Sequence, residues 1–371
     1  MSETKETMLT YIQESVQVIA RNASRSKELT APLVAEYLKK DYKTIWIVAS
    51  GSSANGSFCA RHFIRKYLRT EVKIITPFTF EHLENDFNDD DFIFVVSQSG
   101  YSTNAIAALQ VIKAKGRRTI GICADLESDM KDHCDLLVDY GIGYEKVHYV
   151  TLGVTGFALF MMLFTIEAAV AKDLMSEKLA TSLKAEITEA ATVHQTVQQQ
   201  VKTFYQTNFL DLTSMTTVFI GGVGPGQGIA MEGALKISET FQIPVLALEV
   251  EEYLHGITLQ VNPNTTMFFI DVGIASKRVQ EIYNANKVAT RKSFLLTNSP
   301  AFKDDPQAVS VNTAISPEVL PLCYLPFFQY IAHQVTDDCH KWHKHPVHEL
   351  LNKMVAAKTA NYDISKSIKD Q

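Results

Sequence analysis

The side chains best suited to chemistry lie in Phe92–Leu109, FIFVVSQSGYSTNAIAAL. An apolar run predicts a β-strand and the later apolar spacing predicts a helix, so the SQSG letters form a tight loop between them. Loop N–H groups and the positive end of a helix dipole bind anions. Ser97, Gln98, Ser99 and Ser102 add donors that suit a phosphate monoester. One serine would indicate an ordinary helix N-cap, but three hydroxyls and an amide favour phosphate.

A second loop of the same kind occurs earlier in the chain. The predicted strand Thr44–Ala49 runs into the letters SGSS, which include Ser52 and Ser53, and a predicted helix follows over Ala54–Leu68. Parallel strands bring such loops to the carboxyl edge of one sheet. The two serine-rich loops are therefore expected to face one phosphate-binding pocket.

A charged trio lies on a predicted helix in the second half of the chain. Glu232, Lys236 and Glu239 occupy positions i, i+4 and i+7, which places them on one helix face. The spacing alone fits a solvated ladder of charges with Glu232 paired to Lys236. It fits equally well a cluster directed into a pocket, because the helix follows a glycine-rich loop. Both alternatives stay open at this point.

His255 follows an acidic segment and precedes a glycine. A single histidine in such a position is more often structural than catalytic. Near a sugar phosphate, however, a carboxylate and an imidazole are the pair that proton transfer next to a carbonyl requires, one as base and one as acid.

Composition narrows the class of protein. The 371 residues are 46% hydrophobic and 20% charged, as in a globular protein with two domains of ordinary size. The net charge of -6 argues against a nucleic-acid partner, but not against a small phosphorylated ligand. The five cysteines are scattered with no CxxC pair, and the amino terminus has no signal-peptide core, so a cytoplasmic location is expected.

Two segments invite other interpretations. Residues Tyr149–Ala171 are long and apolar enough to cross a bilayer, but glycines, threonines and Glu167 interrupt them, so we predict a buried helix and no membrane association. The glycine run Gly222–Gly228 lacks the spacing and acidic residue of a dinucleotide-binding loop.

Cys339 and the histidines after it are crowded, but interleaved lysines and Pro346 argue against a metal site. No metal, redox group or other cofactor is expected.

The remaining pattern alternates strands and helices twice, which predicts an α/β protein with two doubly wound, flavodoxin-like parallel sheets in tandem. The predicted divisions are N-terminal helices over 1–40, a phosphate-binding domain over 41–175, a helical connector over 176–205 and a second domain with a C-terminal tail over 206–371. In the second copy the loop Asp271–Ser276 has lost the serine cluster. One copy is thus expected to bind phosphate, and the other to have a role other than phosphate binding.

These motifs resemble the tandem SIS (sugar isomerase) family, which includes the isomerase half of glucosamine-6-phosphate synthase and stand-alone isomerases, deaminases and fructosamine-6-phosphate deglycases. The most specific matches are the SQSG loop, the EGALK segment with Glu239, His255 with the glycine after it, and a terminal Lys-Ser pair at Lys366. The resemblance covers nearly all of the chain after the first helices.

The resemblance implies a role for each matched residue. The phosphate would be held by Ser52, Ser53, Ser97, Gln98, Ser99 and Ser102. Glu239 would move a proton between C1 and C2, with Lys236 holding it in place. His255 would act as acid or base from the neighbouring subunit of a homodimer, and Lys366 would meet the open-chain carbonyl.

Differences from the synthase shape the expected activity. There is no glutaminase domain and no amino-terminal cysteine, so ammonia from glutamine is not expected. Where the synthase has a polar turn, this chain has Val150-Thr151-Leu152, which favours a different sugar substituent. We therefore expect an isomerase, deaminase or deglycase for an amino-bearing sugar 6-phosphate. The alternative is a phosphosugar sensor without catalysis.

Overall fold

The fold is described from a computed structural model, in which residues 6–363 are described. The chain forms two compact units. The first contains Glu6, Val18–Ala185 and 344–363, and the second contains Thr7–Gln17 and Glu186–His343. Each unit is built around its own five-stranded parallel sheet.

The first sheet has the strand order β2-β1-β3-β4-β5, which is the doubly wound, flavodoxin-like order. Its strands are β1 (Thr44–Ala49), β2 (Glu71–Ile75), β3 (Asp91–Val96), β4 (Ile120–Cys123) and β5 (Leu136–Asp139). The helices that lie within this unit are α2 (Ser26–Tyr37), α3 (Gly51–Leu68), α4 (Pro77–His82), α5 (Thr103–Ala114), α6 (Leu152–Ala171) and α12 (Val347–Met354).

The second sheet repeats this order, because β7-β6-β8-β9-β10 matches β2-β1-β3-β4-β5 strand for strand. Its strands are β6 (Thr217–Gly222), β7 (Val245–Glu249), β8 (Thr265–Asp271), β9 (Ser293–Thr297) and β10 (Ala308–Ser310). Its helices are α8 (Phe209–Thr213), α9 (Pro225–Thr240), α10 (Ser276–Asn286) and α11 (Leu320–Asp338). Two further helices, α1 (Met8–Ser24) and α7 (Glu177–Thr207), contribute residues to both units. The predicted tandem α/β architecture is confirmed.

The division of the chain differs from the predicted one at the C-terminal end. The stretch 176–205, predicted to be a helical connector, corresponds to α7 (Glu177–Thr207), which passes from the first unit to the second after Ala185 and buries Leu183, Ile187 and Ala190. The C-terminal tail, predicted to belong with residues 206–371, belongs instead to the first unit from residue 344 onward. It does so because its backbone hydrogen-bonds to the loop before α5.

The apolar helix α6 is the one element of the described residues that is long and apolar enough to cross a membrane. It is buried along most of its length, and it packs against α3 within the first unit. Gly56 of α3 allows the close approach, since a Cβ there would lie 3.0 Å from the carbonyl oxygen of Val154. The prediction of a buried helix agrees with this packing.

The helix α9 begins at Pro225, inside the glycine run, four residues earlier than a loop over the whole of Gly222–Gly228 would allow. Proline is favoured there because its missing N–H is not needed. Further along α9, Gly233 faces α11, and a Cβ on it would lie 2.6 Å from Cγ of Phe328. The two helices can therefore pack closely only if position 233 has no side chain.

We predict that Gly233→Ala lowers the free energy of unfolding by about 1–2 kcal/mol, because overpacking outweighs the helix propensity that alanine gains. The measurement is chemical denaturation of the full chain. Combining Gly233→Ala with Phe328→Leu, which removes the ring, should recover part of the loss. Simple additivity of the two substitutions would contradict the contact.

Candidate functional site

The two serine-rich loops start from neighbouring strands. β1 and β3 pair in parallel with Ala49 opposite Val96, so both strands end at the same edge of the first sheet. A hydrogen bond joins the segments that follow, where Nδ2 of Asn104 donates to Oγ of Ser50 at 3.3 Å. The predicted juxtaposition of the two loops is present in the first unit.

The loop after β3 is a compact turn held by its own hydroxyl groups. Ser97 and Ser99 are buried, and the N–H of Gly100 donates to the carbonyl and to Oγ of Ser97, the latter at 3.2 Å. Oγ of Ser97 donates to Oγ of Ser102 at 3.2 Å, and the N–H of Tyr101 donates to Oγ of Ser99 at 3.3 Å. We call the side chains of Ser97, Ser99 and Ser102 the serine cradle.

Gly100 is needed for this turn on two grounds. Its φ is +73°, a conformation that residues with a Cβ rarely adopt. A Cβ would also lie 1.9 Å from Oγ of Ser128, which donates to the carbonyl of Asp125 at 2.6 Å. The turn therefore rests on a second, hydrogen-bonded loop that follows β4.

The other predicted phosphate ligands lie on the same side of the sheet. Ser52 is buried and Ser53 half-buried, both in the first turn of α3, while Gln98 begins the turn after Ser97. The Gln98 side chain lies next to Gly153 at the start of α6, whose Cβ, if present, would be 3.0 Å from Cγ of Gln98. The amino terminus of α6 is therefore another wall of this region.

Glu145 is a buried residue that the sequence pattern did not single out. Its carboxylate accepts hydrogen bonds from the N–H groups of Thr151, Leu152 and Gly153 at 2.6, 2.9 and 3.0 Å. It thus satisfies the free amides at the positive end of α6, where a carboxylate is stabilised. Two of these amides, those of Thr151 and Leu152, lie in the Val150-Thr151-Leu152 segment that replaces the polar turn of the synthase. The available sequence signal was an acidic residue seven positions before the apolar helix.

Lys358 is the second residue that sequence reasoning missed. Its Nζ donates to Oγ of Ser99 at 2.7 Å and to Oγ of Ser102 at 3.0 Å. Burial lowers the pKa of its ammonium group from 10.5 to about 8. The sequence holds no local signal for this contact, because Lys358 follows Ser99 by 259 positions.

The charged trio of α9 is not a solvated ladder, so that alternative is wrong. Lys236 and Glu232 are each 1% exposed, with Nζ of Lys236 3.4 Å from Oε1 of Glu232. Lys236 also forms an ion pair with Glu239, whose side chain is 30% exposed. Buried lysines are almost always paired, and here one ammonium serves two carboxylates. Of the three charges, Glu239 is the one that solvent or a ligand can reach.

The remaining predicted catalytic residues are His255 and Lys366, of which the structure describes only His255. His255 is exposed and ends a short 3-10 turn over Glu252–Leu254, so its predicted action from a neighbouring subunit stays a prediction. Nearby, a hydrogen bond from Arg278 lowers the pKa of Glu251. Lys366 lies outside the described residues.

No group of three or more His, Cys, Asp or Glu side chains within 6–363 is arranged to hold a metal ion. In the crowded segment after Cys339, two backbone carbonyl groups accept hydrogen bonds from another part of the chain. The carbonyls of Lys341 and His343 accept hydrogen bonds from Nε2 of Gln242. Residues up to His343 of this segment belong to the second unit, and those from Lys344 onward belong to the tail of the first.

Comparison with known sequences identifies one family. Residues 37–166 match the SIS domain, a range that contains β1 to β5, the serine cradle and most of α6. Two glutamine–fructose-6-phosphate aminotransferases (isomerizing), from Aquifex aeolicus and Caldanaerobacter subterraneus, are each 27% identical over 277 and 263 residues. These matches cover 72% and 70% of this chain but only 43% and 41% of the relatives, so the chain spans less than half their length.

Solved structures share the fold across nearly the whole chain. A candidate phosphosugar isomerase from Clostridium difficile superposes with a TM-score of 0.86 at 21% identity, covering 96% of this chain and 100% of that one. The C-terminal domain of glucosamine-fructose-6-phosphate aminotransferase from Francisella tularensis gives 0.77 at 20% identity, covering 91% and 97%. A glucosamine-6-phosphate deaminase from Thermotoga maritima gives 0.67 at 18% identity, covering 88% and 94%.

The matched range contains the serine cradle, so residues 37–166 are similar to the SIS domain over the whole first sheet. The second unit, which the family match does not reach, repeats the strand order of the first.

Proposed function

We propose that the protein is an enzyme that isomerises, deaminates or deglycates an amino-bearing sugar 6-phosphate through proton transfer at C1 and C2. The proposal is supported by one observation in each unit. The first holds a buried serine cradle at its sheet edge, and the second holds a buried Lys236 that fixes a partly exposed carboxylate. The relatives are named as aminotransferases of fructose 6-phosphate and a fold neighbour as a deaminase of glucosamine 6-phosphate, and these names support a sugar phosphate with an amino group as the substrate class.

In the proposed mechanism the first unit recognises the phosphate. Hydroxyls of Ser97, Ser99 and Ser102, the loop N–H groups and the side chains of Ser52, Ser53 and Gln98 donate to its oxygens. Hydroxyl hydrogens rotate to suit the acceptor, so a cradle whose hydroxyls now bond one another can turn them toward an anion. Such binding holds the sugar in one orientation and leaves its carbonyl end accessible for reaction.

Glu239 is the proposed base. Its carboxylate takes a proton from the carbon next to the carbonyl or imine, and returns it to the neighbouring carbon through an enediol or enaminol intermediate. Lys236 acts as a positioning residue, because its ammonium is buried between Glu232 and Glu239 and has no freedom to swing away. His255, contributed by the second subunit of a homodimer, would exchange a proton with the ring oxygen or leaving group.

The activity can be tested directly on glucosamine 6-phosphate and on several fructosamine 6-phosphates. Ammonia, free amino acid and aldose–ketose exchange are assayed in parallel, because they separate deamination, deglycation and isomerisation. Release of neither product, with no exchange on any of these substrates, would contradict the enzymatic proposal.

We predict that Glu239→Gln lowers kcat by roughly 100- to 10,000-fold, because the general base is lost while the shape of the side chain is kept. The dissociation constant for the sugar phosphate should stay within a few-fold, since the phosphate donors are untouched. Glu177→Gln, at an exposed position in α7, is the control and should behave as wild type. Unchanged turnover in Glu239→Gln would remove this residue from the mechanism.

For the cradle, we predict that Ser99→Ala weakens binding of the sugar phosphate by about 1–3 kcal/mol, the cost of losing one donor to a charged group. Calorimetric titration measures the effect, and the non-phosphorylated sugar serves as the comparison ligand. Ser24→Ala, at an exposed serine of α1, is the matched control. Equal affinity of Ser99→Ala and the control would count against phosphate at this loop.

A further inference from the structure

The C-terminal tail is hydrogen-bonded to the loop that bears the serine cradle. Ser102 and Lys358 form an antiparallel bridge. On either side of the bridge, the N–H of Thr103 donates to the carbonyl of Ala357 at 3.2 Å, and the N–H of Thr359 donates to that of Tyr101 at 2.9 Å. The tail thus pairs with the loop as a short strand.

Side chains add to this backbone pairing. Nδ2 of Asn361 donates to Oδ1 of Asp129 at 3.0 Å, in the short helical turn after β4. The ring of Tyr362 contacts the ring of Tyr101, with centroids 5.6 Å apart. These contacts fix the tail on both sides of Lys358, so the position of its side chain is set by several independent bonds.

The ammonium group of Lys358 reaches the hydroxyls that were predicted to bind phosphate. It donates to Oγ of Ser99 at 2.7 Å and to Oγ of Ser102 at 3.0 Å, and it lies 5.3 Å from the centre of the Tyr362 ring. Within the described residues, no carboxylate forms an ion pair with it. A cation held in a partly buried site by neutral hydroxyls alone has lost hydration without gaining a counterion.

We propose that Lys358 is a phosphate ligand of the active site, supplied by the tail, and that its ammonium group pairs with the phosphate dianion of the substrate. The inference rests on the proposed function, because it uses the same cradle. A dianion between the ammonium and the hydroxyls would provide the missing counterion. Ser99 and Ser102, which now accept hydrogen bonds from the ammonium, would each turn a hydroxyl hydrogen toward a phosphate oxygen.

The lowered pKa of about 8 for Lys358 gives the site a pH dependence. Below that pH the ammonium group of Lys358 is already charged when phosphate binds. Above it, the neutral amine must take up a proton for the same ion pair to form, so the affinity for phosphate falls as the pH rises. The groups on the elements packed around it are the hydroxyls of Ser99 and Ser102, Tyr362, the pair formed by Tyr101 and Asp125, and Asp129, whose pKa is lowered by hydrogen bonds from the tail residues Thr359 and Asn361. Burial and Asp125 raise the pKa of Tyr101 to about 12, so its phenol stays neutral in this range.

The test measures binding of inorganic phosphate and of glucosamine 6-phosphate to the full chain by calorimetry. Lys358→Met should weaken both by roughly 10- to 100-fold, the loss expected for a charged hydrogen-bond donor. Lys358→Arg keeps the charge and should retain most of the affinity, and its binding should no longer fall between pH 7 and 9. Lys353→Met, an exposed lysine in the same tail, removes the same charge outside the cradle and is the control.

Steady-state kinetics provide the second readout. Lys358→Met should raise KM for the phosphorylated substrate and leave kcat within a few-fold, whereas a merely structural role would lower kcat and thermal stability together. Asn361→Ala, which removes a tail contact but keeps the lysine, should weaken phosphate binding less than Lys358→Met does.

Two results would overturn the inference while leaving the proposed function intact. If wild type and Lys358→Met bind phosphate equally, the lysine is not a ligand. If Lys358→Met binds more tightly, the lysine blocks the cradle. Failure of wild type itself to bind either probe would contradict the proposed phosphate site, and this inference with it.

Discussion

The parallel pairing of β1 with β3 is the constraint on which the candidate phosphate site depends. Because Ala49 lies opposite Val96, both strands end together, and the loops that follow must share one edge of the sheet. The strands themselves are buried on both faces, so polar groups can collect only beyond their ends. A shift of this register would separate the serine-rich loops without altering either loop.

The second unit repeats the strand order, but a carboxylate of the protein itself lies at the position that corresponds to the serine-rich loop of the first unit. Gly222 lies opposite Ile270 as Ala49 lies opposite Val96, so Asp271 takes the place that Ser97 has in the first unit. The buried Asp271 carboxylate accepts from the N–H of Gly273 and from side chains of Ser276, Gln280 and Thr297, all within 2.9 Å. The donors of this loop are already satisfied by a negative charge. An added anion would meet this carboxylate in the second unit, so the expectation that the first unit binds phosphate stays a prediction that this arrangement favours.

The features that could be predicted from the sequence are those that depend on local patterns of residues. The strand β1 was predicted over Thr44–Ala49, the limits it has in the structure, and a strand was predicted in the apolar run that forms β3, because buried parallel strands are short apolar runs that end at polar turns. Short β10 was missed, and the burial of Lys236 stayed open, because helical spacing cannot distinguish a surface ladder from a buried cluster. Lys358 could not be found, since its contact with Ser99 joins distant parts of the chain and depends on where the tail folds back.

The two units differ most in how their buried charges are balanced. On α9 one ammonium meets two carboxylates, so the fully ionised cluster of Glu232, Lys236 and Glu239 carries a net negative charge and disfavours an added anion. In the cradle one ammonium contacts two hydroxyls and an aromatic ring, all of them neutral, so its positive charge favours an anion. Electrostatics thus favours an added anion at the serine cradle over one beside the carboxylates of α9. The two sheets have the same strand order, so this difference in sign comes from the side chains at the strand ends and on α9 and not from the topology.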